Sequence, residues 1–116
     1  MSTRLPKHLH DGMTAARLAV DFCRHMDATV FGANLLVRSA VERQLEILGE
    51  ACRRALDEAP GLRDRIPDMT LAIGLRNRII HGYDKLDHGV ILETVQRDLP
   101  GLAEQLRHAL SEEPPA

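Results

Sequence analysis

Along positions 37–56 the apolar residues fall at Val37, Val41, Leu45, Leu48, Cys52 and Leu56, in steps of three and four. Such spacing returns to one side of a helix at every turn, so the stretch predicts a long amphipathic helix running through about Glu58. Its opposite side, Arg38, Glu42, Arg43, Glu46, Glu50 and Arg53, belongs in water, where acid and base one turn apart can pair. The same rule at Met13, Ala16, Val20 and Cys23 predicts an earlier helix over residues 5–25, with residues 29–34, Gly32 among them, as the break between the two. Ala59, Pro60 and Gly61 end the long helix, and residues 62–67 read as a connector. A third helix starts near Asp68 or Thr70, carries Leu71, Ile73, Leu75, Ile79 and Ile80, and is expected to stop in a left-handed turn at Gly82. After a polar loop over residues 84–87, Asp87 can cap a fourth helix bearing Val90, Ile91, Val95 and Leu99. Pro100 either kinks that helix or sits in the first turn of a fifth, which buries Leu102, Leu106, Ala109 and Leu110.

No strand-like alternation and no internal repeat interrupts this pattern. With no Trp, one Tyr and two Phe, the core must be built from Leu, Ile, Val, Ala and Met, which suits helices better than sheets. The expected fold is all-α, an up-and-down bundle of four to five helices in one domain over residues 1–116, with residues 1–10 and 111–116 flexible. Cys23 and Cys52 lack a partner at close spacing and read as small buried apolar side chains in a reducing compartment. The absence of a long apolar run and the polar, histidine-bearing first twelve residues predict a cytoplasmic protein that does not enter the membrane.

A net charge of -2 and a pI near 6.3 argue against holding long nucleic acid by bulk electrostatics. Any anion-binding charge must be local, and Arg63, Arg65, Arg76 and Arg78 lie close in sequence. Chemistry concentrates in Arg76-Asn77-Arg78-Ile79-Ile80-His81-Gly82-Tyr83. A guanidinium that grips phosphate in a planar fork, beside an imidazole that exchanges protons near neutral pH, is enough to cut RNA without a metal or other cofactor. Four residues apart, Asn77 and His81 share a helix face, whereas Arg76 and His81 stand about 140° apart and converge only if the helix loosens near His81 or the arginine folds across. Taken singly, Arg76 could be a salt-bridge partner, Asn77 a local hydrogen-bonder, His81 a helix-end residue and Tyr83 a packing residue. The remaining histidines, His8 and His10 in a loose start and His25, His88 and His108 elsewhere, have no partner at metal-ligand spacing.

The Arg-Asn-x-x-x-His-x-Tyr pattern resembles the HepT-like toxins of the HEPN domains. The similarity extends to Ala40–Ala51, with its Gly49-Glu50-Ala51, to Ile66-Pro67 before the third helix, and to Asp98-Leu99-Pro100. The resemblance implies a homodimeric endoribonuclease toxin whose two motifs face a shared cleft, paired with a minimal nucleotidyltransferase antitoxin. It implies that Arg76 binds and polarises the scissile phosphate, that His81 is the general acid or base, and that Asn77 orients them, with Arg78 as an RNA contact. It also implies that the antitoxin silences the toxin by AMPylation of Tyr83. Two other functions fit the residues: a non-catalytic bundle that binds a nucleotidyltransferase, and a purely structural dimerising bundle.

Overall fold

The computed structural model describes residues 4–82 and 85–114, and every regular element among them is helical. Five long helices carry the core: α1 (Leu5–Phe22), α3 (Leu35–Glu58), α5 (Asp68–Gly82), α6 (His88–Arg97) and α7 (Leu99–Ser111). Two short ones, α2 (Ala28–Ala33) and α4 (Leu62–Arg65), fill the connections. α1 packs between α3 and α7, α3 also carries α5, and the α2–α6 pair closes one end.

The three-and-four spacing is what the packing uses. Val41, Leu45, Leu48, Cys52 and Leu56 of α3 meet Leu9, Met13, Ala16 and Ala19 of α1, with Leu102 and Leu106 of α7 and Leu75 and Ile79 of α5, in one continuous core. Its largest fully buried side chain is Phe31, from the segment expected to be a plain break. That segment is instead α2. The Asp27 carboxylate accepts from the Val30 amide at 2.8 Å and so starts a helix too short to show a hydrophobic period. Asn34 then caps α3 through the Val37 amide at 3.0 Å. α1 stops at Phe22, three residues before the expected end, and His25 takes a positive φ of 67° in the turn that follows. The Gln96 amide of α6 donates to the Cys23 and Met26 carbonyls at 3.2 and 2.9 Å, which satisfies that turn from across the fold.

The connector 62–67 contains a single helical turn, α4, whose Leu62 is buried with Ile66. α5 begins at Asp68 and continues unbroken through Gly82, and no described glycine has a positive φ, so the expected left-handed stop at Gly82 does not occur. Asp87 caps α6 through the Val90 amide at 3.1 Å. α6 ends at Arg97, and Pro100 lies in the first turn of α7, where a missing amide hydrogen costs nothing. The proline therefore opens a separate helix. Both cysteines are buried free thiols, and burial pushes Cys52 up to about 12.

Candidate active site

The crossing of α3 and α5 sets the position of Arg76. Gly49 lies directly beneath it: a Cβ on residue 49 would stand 2.3 Å from the Arg76 Cβ and 3.0 Å from the Ala72 carbonyl oxygen. Only a residue without a side chain lets α5 come this close to α3. One residue along, Glu50 reaches up, and its Oε2 lies 3.2 Å from Arg76 Nη2. The same carboxylate is shared by Arg53 Nη2 at 2.5 Å and Arg54 Nε at 2.9 Å. Hydrogen bonds from Arg53 and Arg54 hold the Glu50 carboxyl at about 2, well below the usual carboxylate range. Glu50 is thus a permanent anion among three guanidinium groups.

Arg76 Nη1 donates to Asn77 Oδ1 at 3.0 Å, so the guanidinium is held from two sides, by Glu50 below and Asn77 beside it. Half-buried and doubly tethered, it keeps its remaining N–H groups for a ligand. His81 sits one residue from the end of α5, exposed, and among the described residues its ring has no hydrogen-bond partner. Its exposure leaves the ring open to an incoming substrate.

Because α5 stays helical through Gly82, Arg76 and His81 remain on different sides of it. Arg76 and Ile80 open into a cavity of about 380 Å³ between α1, α3 and α5. Asn77, Arg78 and His81 line another, of about 520 Å³, walled by Leu75, Leu86, Val90 and Ile91. Arg76 and Asn77 touch across the divide through their own hydrogen bond; among the described residues Arg76 and His81 line different cavities. Tyr83 lies outside the described residues.

Arg63 and Arg65 belong to neither cavity; both are on α4, where Arg65 pairs with Glu112 next to the end of α7. Two histidines that spacing had set aside have defined places. His8, in the first turns of α1, is 8% exposed and lines the Arg76 cavity. His88, at the start of α6, has Nε2 2.7 Å from Arg38 Nη1 and packs edge-on to Phe31, while its Nδ1 and the Arg38 Nε are buried without a partner among the described residues. No local signal marks either one, because the Arg76 cavity and Arg38 are brought to them by other helices. Among the described residues no three His, Cys, Asp or Glu side chains converge to hold a metal ion, and no helix is long and apolar enough to cross a membrane.

The family model described as ribonuclease HepT-like matches residues 13–109. A protein of Thermococcus cleftensis named a probable ribonuclease HepT is 33% identical over 95 residues, covering 82% of this chain and 86% of that one. A protein of Methanocaldococcus jannaschii, provisionally named RNase MJ1380, is 31% identical over 100 residues, covering 84% of this chain and 89% of its own. No solved structure matches.

Proposed function

The chain belongs to the ribonuclease HepT-like family and is an endoribonuclease, and from that premise we propose that Arg76 and His81 carry out the cleavage, with Asn77 and Glu50 holding the arginine. The observation that carries this reading is the doubly tethered Arg76 guanidinium on the same helix as His81, an exposed imidazole with no hydrogen-bond partner among the described residues. In the proposed step the ribose 2′-oxygen forms a bond to the adjacent phosphorus and the bond from phosphorus to the 5′-oxygen breaks. A base removes the 2′-hydroxyl proton, an acid supplies one to the departing 5′-oxygen, and the products are a 2′,3′-cyclic phosphate and a 5′-hydroxyl. Negative charge gathers on the non-bridging oxygens, where a fixed guanidinium acts most strongly. His81 is the proton-transfer group. Arg78, exposed beside it, contacts a flanking phosphate.

A homodimer completes this reading. Arg76 and His81 lie about 140° apart around α5, and a second copy of the chain facing the first places both groups around one strand. The finer proposal is a toxin neutralised by a nucleotidyltransferase antitoxin that transfers AMP to Tyr83. Tyr83 follows His81 by two residues, so added nucleotide phosphates would screen the cations near it and occupy the cleft. Co-expression with the neighbouring nucleotidyltransferase should add AMP mass to the Tyr83 peptide; silencing with an unchanged peptide mass would end that proposal.

The direct test incubates unmodified protein with total cellular RNA in EDTA, beside His81→Ala and Arg76→Ala. Fragments ending in cyclic phosphates from the wild type alone are expected. Intact RNA in every lane would favour a second reading, in which the bundle is a non-catalytic partner of the nucleotidyltransferase. The separation of Arg76 and His81 into different cavities is the observation on its side.

A further inference from the structure

The cavity into which Arg76 opens has a composition that its role as an arginine seat does not explain. Five cationic side chains surround it against three carboxylates. The known pairings leave this surplus in place: Lys7 is matched to Asp11 at 2.6 Å and Arg43 to Glu46 at 3.2 Å, but Arg54 and Arg76 both lean on the single Glu50. A chain of net charge -2 has thus gathered local positive charge in one concave place.

Lining this cavity is His8, a largely buried residue of α1. An imidazole lining a cationic cavity can turn its N–H toward a bound anion. The neutral ring has one N–H to offer and one nitrogen that accepts. The ligand that would meet both the surplus positive charge and an imidazole N–H is an oxyanion. At about 380 Å³ the space is larger than a lone anion requires and admits a phosphate with its sugar.

We propose that the cavity between α1, α3 and α5 is a phosphodiester subsite for the RNA strand, in which His8 donates to a phosphate oxygen from within while Lys7 and Arg43 hold the backbone at the rim. The assignment rests on the reading of RNA as substrate and adds a second phosphate contact on the Arg76 side of α5. His8 here is a binding group. It takes no part in proton transfer.

The test uses the full-length wild type, the double variant Lys7→Gln/Arg43→Gln, and His8→Phe and His8→Gln. Binding is read by fluorescence anisotropy of a labelled single-stranded 2′-O-methyl oligonucleotide, which cannot be cut, across a salt series; cleavage of unmodified RNA is followed in parallel. Lys7 pairs with Asp11 and Arg43 with Glu46 rather than with Arg76 or Glu50, so kcat should hold within about twofold while KM and Kd rise about tenfold and the salt slope falls by one to two. His8→Phe should weaken binding in the same way, and His8→Gln, which keeps a donor, should recover part of the loss. Unchanged affinity and slope in all variants, with a wild type that cleaves, would overturn the subsite and leave the nuclease intact. Weakened binding with a wild type that never cleaves would support the subsite and remove the catalytic reading. Variants that lose competition by inorganic phosphate but hold the oligonucleotide normally would assign the cavity to a free anion and overturn its role on RNA.

Discussion

Glu50 decides the electrostatics around Arg76, since one carboxylate serves three arginines. Its folded carboxyl, at about 2, lies below its unfolded value near 4.5, so its contribution is complete above the unfolded value and is lost as pH falls towards 2. Thermal melts of the wild type should therefore drop between pH 4.5 and 2 more steeply than those of Glu50→Gln. At neutral pH the variant should be less stable by about 1 kcal/mol, a modest figure because the cluster is open to water. Its larger effect should be on turnover, through an Arg76 held by Asn77 alone. Arg76→Lys keeps the charge but not the fork, and cleavage should fall by about 100-fold with the fold unchanged by circular dichroism. His81, His8 and Glu50 differ in what the sequence showed of them. His81 stood out because its neighbours in the chain are chemical too. The weight of Glu50 came from Arg53, Arg54 and Arg76 converging on it, and that of His8 from a cavity built by three helices, neither of which a linear reading displays.

At the scale of elements the crossing of α3 over α5 is the most demanding contact. Gly49→Ala would drive a methyl into the Arg76 Cβ, and overpacking of this kind costs about 1–3 kcal/mol. Because the helices would part at the arginine itself, activity should fall further than stability does; urea melts compared with initial cleavage rates would show the difference. The caps set element boundaries, and Asp87→Ala should cost about 1 kcal/mol in the same melts by freeing the Val90 amide. The long helices were legible because each buries a stripe over three or more turns. α2 and α4 were not, since six and four residues are too few to show a period, and their existence depends on an Asp27 cap and on burial of Leu62. Gly82 misled for a related reason: glycine permits a left-handed turn without requiring one.

The whole molecule is an elongated body of 47 × 27 × 22 Å that leaves several large apolar side chains in water. Leu35 and Leu36, in the first turn of α3, are 65% and 81% exposed, and Val30 and Val90 are close to half exposed. Isolated exposed leucines are ordinary, but adjacent ones at one end suit a contact between copies. If the proposed homodimer forms through this end, Leu36→Asp should shift sedimentation from two chains to one with little change in melting temperature, since Leu36 is 81% exposed within the chain. The sequence gives no view of this end: Leu35 and Leu36 sit on a helix whose remaining pattern is inward-facing, and only the finished packing shows which apolar residues were left over. An unbroken α5 then has a consequence for how the enzyme is governed. If Arg76 and His81 are the reactive pair, as proposed, an α5 that holds them on different sides would make catalysis depend on two copies meeting, and dilution would act as an off switch. Specific activity should then decline as the protein is diluted below the dissociation constant of the proposed dimer, and a cell holding few copies would carry an idle nuclease.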